Sequence, residues 1–314
     1  MNSSSNLISL SGDASFRSFY RDKNKKKSII VFAKKEKKKN LLIYDAINKI
    51  LIKNNIKAPK LYQENYKKNF IRIEDLGNQN IAYKLNKKNK IGYYFKILKV
   101  LNKLQRINNK KISTFKNTKY IIPQYTKTEL LKESKLFIDW YIPSKIKKKN
   151  QIFLKKKLEI IFLNLLNRLE SKKSVFVHRD FHISNMMLYK KNIYLIDNQD
   201  AVYGNIAYDL ASLIDDVRVK TTLEQKKKIY DKYVKEKKPL DISKFKNDFE
   251  ILSVLRNIKI IGIFTRLSVR DKKKKYLKLI PRAWNLIEYR IKKNYKFKDL
   301  KIIFDKYFPK KIRK

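Results

Sequence analysis

The hydrophobic pattern changes period once along the chain. Short β-branched and aromatic runs come first, and long stretches of helical spacing follow. Residues 16–21 and 28–33 read as two strands joined by a polar turn at 22–27. Apolar positions 41, 42, 43, 46, 47, 50 and 51 then give a helix over 41–53, which Asn54-Asn55 ends and Pro59 leaves behind. Residues 61–62 and 70–73 return to strand character, with a turn expected near 64–65. From there the 3.6-residue period dominates, over 93–107, 129–142, 152–169, 206–217, 222–234, 242–267, 279–291 and 300–308. The segment 152–169 is expected to be the central core helix. One interruption breaks this helical half. Three short apolar runs, 175–177, 186–189 and 193–196, read as a strand followed by a hairpin. The pattern predicts an α+β, two-lobed chain. A small β-rich N-terminal lobe covers 1–77, and a larger, mostly helical lobe covers 78–314.

Composition narrows this little. At 314 residues the chain can build two cores, and the absence of cysteine excludes a disulfide framework. There is no apolar run of membrane-spanning length, and the N-terminus lacks the basic-then-apolar order of a signal peptide, so a cytoplasmic protein with no membrane partner is expected. The formal charge of +50 changes the picture more. Lysine, asparagine, isoleucine and tyrosine, all with AT-rich codons, are used heavily, and the lysines are scattered. Mutational bias of an AT-rich genome accounts for this better than a dedicated groove would. No specific nucleic-acid partner is therefore expected, although nonspecific adhesion to RNA at low salt is.

The interruption carries the chemistry. His178-Arg179-Asp180 follows the strand at 175–177, Asn185 lies five residues after Asp180, and Asp197 ends the hairpin. Asp and Asn are common turn formers, so the argument rests on their combination and spacing. Phosphoryl transfer needs a carboxylate to receive or orient the nucleophile's proton, and an Asn and an Asp to hold magnesium. The spacing His-Arg-Asp-x-x-x-x-Asn is that of the kinase catalytic loop. Asp180 is thus the candidate catalytic group, Asn185 and Asp197 are the candidate Mg2+ ligands, and ATP is the expected donor. A zinc site on His178 and His182 is the rival, but these are the only histidines, and a third strong ligand is missing. His178 is read instead as holding the loop by hydrogen bonds. Upstream, Gly12 and Asp13 form a small-residue turn with Ser15, a candidate lid over nucleotide phosphates. Glu74-Asp75-Leu76-Gly77 closes the first lobe as a hinge whose backbone would meet an adenine edge.

Together these residues resemble the aminoglycoside phosphotransferase and choline kinase group, with its protein-kinase-like fold. A narrower similarity is to the bacterial anomeric kinases of N-acetylmuramate and N-acetylglucosamine. It rests on Gly12-Asp-Ala-Ser-Phe-Arg, Glu74-Asp-Leu-Gly, Leu136-Phe-Ile-Asp-Trp-Tyr, His178-Arg-Asp-Phe-His-x-x-Asn, Asp197-x-Gln-Asp-Ala-Val-Tyr-Gly and Tyr208-Asp-Leu. The late segment Arg256-Asn-x-Lys, Gly262-Ile-Phe-x-Arg-Leu and Arg270-Asp adds to it.

The resemblance implies phosphorylation of an amino sugar at its C1 hydroxyl, in peptidoglycan recycling; a monomer is expected. Asp180 would be the base, and Asp200 would line the site. Asp209 would brace the catalytic loop. The sugar would meet Trp140, Arg179, His182, Arg266 and Arg270. Kinases usually place a lysine on the third strand. None occurs within 29–33, which leaves Lys34, just after it, or Arg21 to substitute. Asn198 stands where the family often has an aromatic, a change expected to affect packing rather than metal binding. The alternatives are a kinase of an aminoglycoside, choline or similar hydroxyl, and a basic kinase-like scaffold or RNA-binding protein. Arg256, Lys259, Arg266, Arg270 and Arg282 favour an anionic or neutral substrate over a cationic one. Retention of Asp180, Asn185 and Asp197 together argues against a scaffold.

Overall fold

The computed structural model describes residues 7–10, 17–23, 28–34, 39–171, 173–237, 240–292 and 294–313. In chain order the elements of the first stretch are β1 (Leu7–Leu10), β2 (Arg17–Asp22), β3 (Ser28–Ala33), α1 (Lys39–Lys53), β4 (Leu61–Asn65), β5 (Phe70–Glu74), α2 (Ile81–Lys84), α3 (Lys90–Leu104), β6 (Lys111–Ser113) and β7 (Lys119–Ile121). Then follow α4 (Lys127–Leu136), α5 (Ile142–Lys145), α6 (Lys148–Asn167), β8 (Ser174–Val177), β9 (Met186–Tyr189), β10 (Asn192–Leu195) and β11 (Val202–Asn205). The chain ends in α7 (Tyr208–Ile214), α8 (Leu223–Glu236), α9 (Ile242–Val269), α10 (Ile280–Ile291), α11 (Lys298–Tyr307) and α12 (Lys310–Arg313). Packing divides the chain into two compact units, Met1–Pro123 with Val175–Tyr203, and Gln124–Ser174 with Gly204–Lys314.

The first unit is built on a five-stranded antiparallel sheet in the order β1-β2-β3-β5-β4. The β-branched run Ile29-Ile30-Val31 suits the central strand β3. Val31 and Ala33 of β3, with Ile71 and Ile73 of β5, form one core with Leu41 and Tyr44 of α1. Burial of Leu41, Tyr44, Ile47, Ile50 and Leu51 gives α1 its inward stripe. Its stop is an asparagine version of the left-handed cap. Asn55 has φ 58°, its amide bonds the Ile52 carbonyl (3.0 Å), and the Ile56 amide reaches back to Leu51 (2.9 Å). The turn between β4 and β5 falls at 66–69, later than expected, because Asn69 supplies the left-handed conformation (φ 60°). β1 escaped the periodicity because it has four residues, three of them exposed on the sheet edge. This unit takes in the 175–203 hairpin as well as the sheet. The Leu195 amide bonds the Lys57 carbonyl (2.9 Å), and the Leu188 amide bonds that of Gln79 (2.8 Å).

In the second unit α9 holds the centre. It is buried around its whole girth from Ile251 to Gly262. The segment 152–169, expected to be the core helix, is instead α6, with Ile152, Phe153, Ile160 and Leu163 exposed. The run Lys155–Lys157 explains this, because lysines are almost never buried unpaired. The single helix expected over 129–142 is broken by a π-helical turn at Phe137–Tyr141. That turn is where α9 comes closest. A Cβ on Gly262 would sit 2.3 Å from the Leu136 carbonyl carbon. Phe137 and Tyr141 pack there with Trp284, Phe304 and Phe308.

Candidate active site

The buried strand residues Val175–Val177 lead into a loop closed on itself. The Asp180 carbonyl accepts from the His182 amide (2.9 Å) and from Asn185 Nδ2 (3.1 Å). The Asn185 amide donates to His182 (2.9 Å), and the Ile196 amide donates to the Asn185 carbonyl (3.0 Å). Four residues of this loop and hairpin are left-handed without being glycine: Lys190 (φ 47°) and Lys191 (φ 61°) make the hairpin turn, and Arg179 (φ 75°) and Asp197 (φ 62°) flank the polar loop. Such backbone persists only where neighbouring bonds overdetermine it, as at a site that aims its side chains.

His178 is held by a side-chain hydrogen bond. Its Nε2 lies 2.8 Å from Asn198 Oδ1, and Asn198 Nδ2 donates to Asn48 Oδ1 (2.8 Å) and to the Leu195 carbonyl (3.0 Å). Asn48 passes the chain on to the Pro59 carbonyl (3.1 Å). His178, Asn198 and Asn48 are all buried. Unsatisfied, they would each cost about 1–3 kcal/mol, so the relay fixes the catalytic loop against α1. Asn198 is thus part of a polar scaffold rather than a void left by an aromatic.

The donor set suits a hard cation. Because Asn185 Nδ2 is committed to a carbonyl, its Oδ1 is the atom a metal would meet. The Asp197 side chain is 41% exposed, so a carboxylate oxygen is reachable. Among the described residues no three His, Cys, Asp or Glu side chains cluster as a metal cage. Two oxygen ligands, with phosphates and water completing the shell, is how magnesium is usually held.

The Asp200 carboxyl is pushed above its ordinary value, first by desolvation and then by the carboxylate of Asp180, against a lowering hydrogen bond from Gln199. The residue as a whole still keeps solvent-accessible surface. His182 is buried and Arg179 half-buried.

Of the proposed nucleotide contacts, Gly12, Asp13 and Ser15 lie outside the described residues. Lys34 is exposed. Arg21 is committed to the hinge. Its guanidinium forks onto Asp75 (2.5 and 2.9 Å) and reaches Asn78 Oδ1 (2.8 Å) and the Gly77 carbonyl (3.2 Å). Asp75 also accepts from the Gly77 amide (2.8 Å), and Gly77 takes φ 72° to make that turn. Glu74, Asp75 and Leu76 are buried. Beyond the hinge, Asn80 caps α2 and donates to the Ser184 carbonyl (2.7 Å), tying the hinge segment to the catalytic loop.

One residue was missed. Arg17 of β2 lies opposite Ala33 in the ladder, and its guanidinium is ion-paired with Asp197. Its charge sits over the rings of Phe19 (5.5 Å) and Tyr44 (5.2 Å). The Tyr44 hydroxyl is pushed up to about 12, by burial first, with Arg17 opposing and Asp197 adding. The signal in the sequence was alternation: Arg17 shares a strand face with Phe19, so it points the way an apolar residue points.

The remaining expected site residues belong to the second unit. Trp140 is half-buried within the π-helical turn, an irregularity frequent at functional sites. Asp209 is fully buried in the first turn of α7. Arg266 is half-buried, and desolvation followed by the Arg270 charge lowers its proton affinity. Arg270, at the exposed end of α9, forks onto its neighbour Asp271 (2.8 and 3.0 Å). No helix among the described residues is long and apolar enough to cross a membrane.

A five-stranded antiparallel sheet, with a His-Arg-Asp loop and the hairpin that ends in Asp197 packed into the same unit, is the arrangement of a kinase-type phosphotransferase. The chain belongs to the phosphotransferase enzyme family, whose profile matches residues 6–234. It is 27% identical over 290 residues to the N-acetylmuramate/N-acetylglucosamine kinase of Pseudomonas aeruginosa, covering 90% of this chain and 82% of that one. It is 26% identical over 297 residues to the kinase of the same name from Neisseria meningitidis serogroup B, covering 92% and 86%. Among solved structures, an ADP-bound aminoglycoside phosphotransferase superposes with a TM-score of 0.61 at 15% identity, over 90% of this chain and 92% of that one. The fold is therefore protein-kinase-like.

Proposed function

We propose that the protein transfers the γ-phosphoryl group of ATP to the C1 hydroxyl of N-acetylmuramate or N-acetylglucosamine, giving a sugar 1-phosphate for peptidoglycan recycling. The observation that carries this reading is the constellation of Asp180, Asn185 and Asp197 on one loop and hairpin, in a chain whose curated relatives bear that kinase name. Magnesium, when bound with the nucleotide, neutralises charge on the transferring phosphoryl group. Asn185 Oδ1 and the Asp197 carboxylate would hold it. Asp180 orients the acceptor hydroxyl and takes its proton. An anomeric hydroxyl is more acidic than other sugar hydroxyls, so that demand is modest.

The hinge at 74–77 would carry the adenine edge, and Trp140, Arg179, His182 and Asp200 would contact sugar. N-acetylmuramate carries a lactyl carboxylate, which an arginine can bind bidentately. Arg266 is assigned that contact. Arg270 is a weaker candidate because Asp271 already occupies its fork. Cationic acceptors such as aminoglycosides call for an acidic pocket, and the arginines of α9 point away from that reading.

The test compares each free sugar with its C1 methyl glycoside in an ATP-consumption assay, alongside the Asp180→Asn variant. Turnover of the free sugars only is expected. Asp180→Asn should lower kcat by about 10²–10⁴ with folding intact. Equal use of the methyl glycosides would move the reaction to another hydroxyl. Turnover of aminoglycosides or choline, and not of sugars, would overturn the substrate class.

A further inference from the structure

The third strand offers no lysine, and the two substitutes visible in the sequence are unsuited. Lys34 is exposed, and Arg21 is locked into the hinge by Asp75, Asn78 and Gly77. We propose that Arg17 is the cation that receives the nucleotide's phosphates, and that its ion pair with Asp197 holds the metal-binding carboxylate until the metal–nucleotide arrives. This rests on the phosphotransferase reading above.

Arg17 is placed where such a cation is needed. Residues directly opposite in an antiparallel ladder share a sheet face, with Cβ atoms about 4.5–5.5 Å apart. Arg17 faces Ala33, so its side chain rises from beside the end of the third strand, on the same face as a residue at 33. Ala33 is buried and small, and it leaves that face to the longer neighbour.

The pair is also asymmetric. The Arg17 side chain is 2% exposed and that of Asp197 is 41% exposed. A guanidinium stripped of water is expensive, and well-packed apolar residues in its place are often as stable or more so. The buried member is the cation, held over two rings, whereas the carboxylate stays open to an incoming metal. The fixed part of the pair is thus the arginine. When a metal takes the Asp197 carboxylate, phosphate oxygens held by the same metal offer the guanidinium a second anion at the same place. Arginine suits this exchange, because it stays charged when buried and its fork fits carboxylate and phosphate alike.

The experiment measures calorimetric affinity for a nucleoside diphosphate, ADP or GDP as the wild type prefers, and for the corresponding nucleoside. Both are measured with magnesium and with a chelator, for wild type, Arg17→Met, Arg17→Lys and Lys34→Met. Arg17→Met is expected to lose about tenfold to a hundredfold in affinity for the diphosphate, with and without magnesium, and nothing for the nucleoside. Arg17→Lys should recover part of the loss, and Lys34→Met should match wild type. If Arg17 only orients Asp197, the metal-free diphosphate affinity of Arg17→Met will equal wild type, which overturns the proposal. Equal loss for nucleoside and diphosphate would also overturn it, as a packing effect. Should Arg17→Met fail to fold, Arg17→Lys keeps the test, since a packing role predicts parallel losses on both ligands. A wild type that binds neither ligand would sink the phosphotransferase reading itself, a result separable from failure of the Arg17 assignment.

Discussion

At the scale of single residues, the site sets charges against each other at different depths, with Arg17 buried against a half-exposed Asp197. Asp200 is disfavoured as an anion, first by desolvation and then by the Asp180 carboxylate, so its folded-state carboxyl titrates above its unfolded value. For a carboxyl raised in this way, the folded state is favoured by protonation. Stability is fully present below the unfolded value and declines as pH rises through the folded one. Asp200→Asn removes that ionisation. The variant is expected to melt higher than wild type at pH 7 and to lose the advantage near pH 4, while transferring phosphoryl groups more slowly. Melting curves at the two pH values check this, and an equal or lower melting point at pH 7 would mean that the carboxylate is stabilised where it stands. Asp180, Asn185 and Asp197 could be singled out as candidates in the sequence because the spacing of such a loop is rigid and its residue types are dictated by the chemistry. Arg17 could not, because its meaning depends on what lies across the ladder, Ala33, and on a carboxylate 180 residues away. The Asn198 relay to Asn48 was hidden for the same reason.

At the scale of elements, the helical segments could be read to within a few residues, because each carries a continuous apolar stripe. What could not be read were the places where one element yields to another. The π-helical turn at Phe137–Tyr141 is such a place. It lies against α9 at Gly262, where a Cβ would meet the Leu136 backbone at 2.3 Å. Nothing in 129–142 announces the irregularity, since it answers to a glycine more than a hundred residues on. Gly262→Ala therefore forces backbone apart, and a loss of about 1–3 kcal/mol or more is expected by overpacking. Gly92 in α3 is the internal control. A Cβ there meets nothing within 4 Å, so Gly92→Ala should stabilise by about 0.4–1 kcal/mol. Denaturant midpoints of the two variants should move in opposite directions. If Gly262→Ala unfolds at the wild-type midpoint, the close approach is soft and the π-helical turn has another cause.

At the scale of the whole molecule, charge sets the problem. The chain has 78 lysines and arginines against 28 aspartates and glutamates, so pairing every carboxylate would still leave an excess of +50. Local pairing protects a few sites well. Burial would raise the Asp215 carboxyl, but Lys226 at 2.7 Å and Arg290 at 2.9 Å hold it far below the usual carboxylate range. Its stabilising contribution is present above the unfolded value near pH 4 and is lost only as pH falls through the much lower folded one. The surface excess has no such remedy. Scattered like charges repel one another in the compact state and relax when the chain opens, so they destabilise the fold. Dissolved salt screens exposed charges over about 10 Å at 0.1 M, while a buried pair such as Asp215–Lys226 is screened much less. The two contributions therefore respond differently to ionic strength, and the repulsive one should dominate. The melting temperature is expected to rise as sodium chloride is increased from about 0.01 M to 0.3 M, and retention on an immobilised polyanion should fall over the same range. A melting temperature that drops with salt would show that attractive surface pairs outweigh the excess, and that the lysines are arranged rather than scattered.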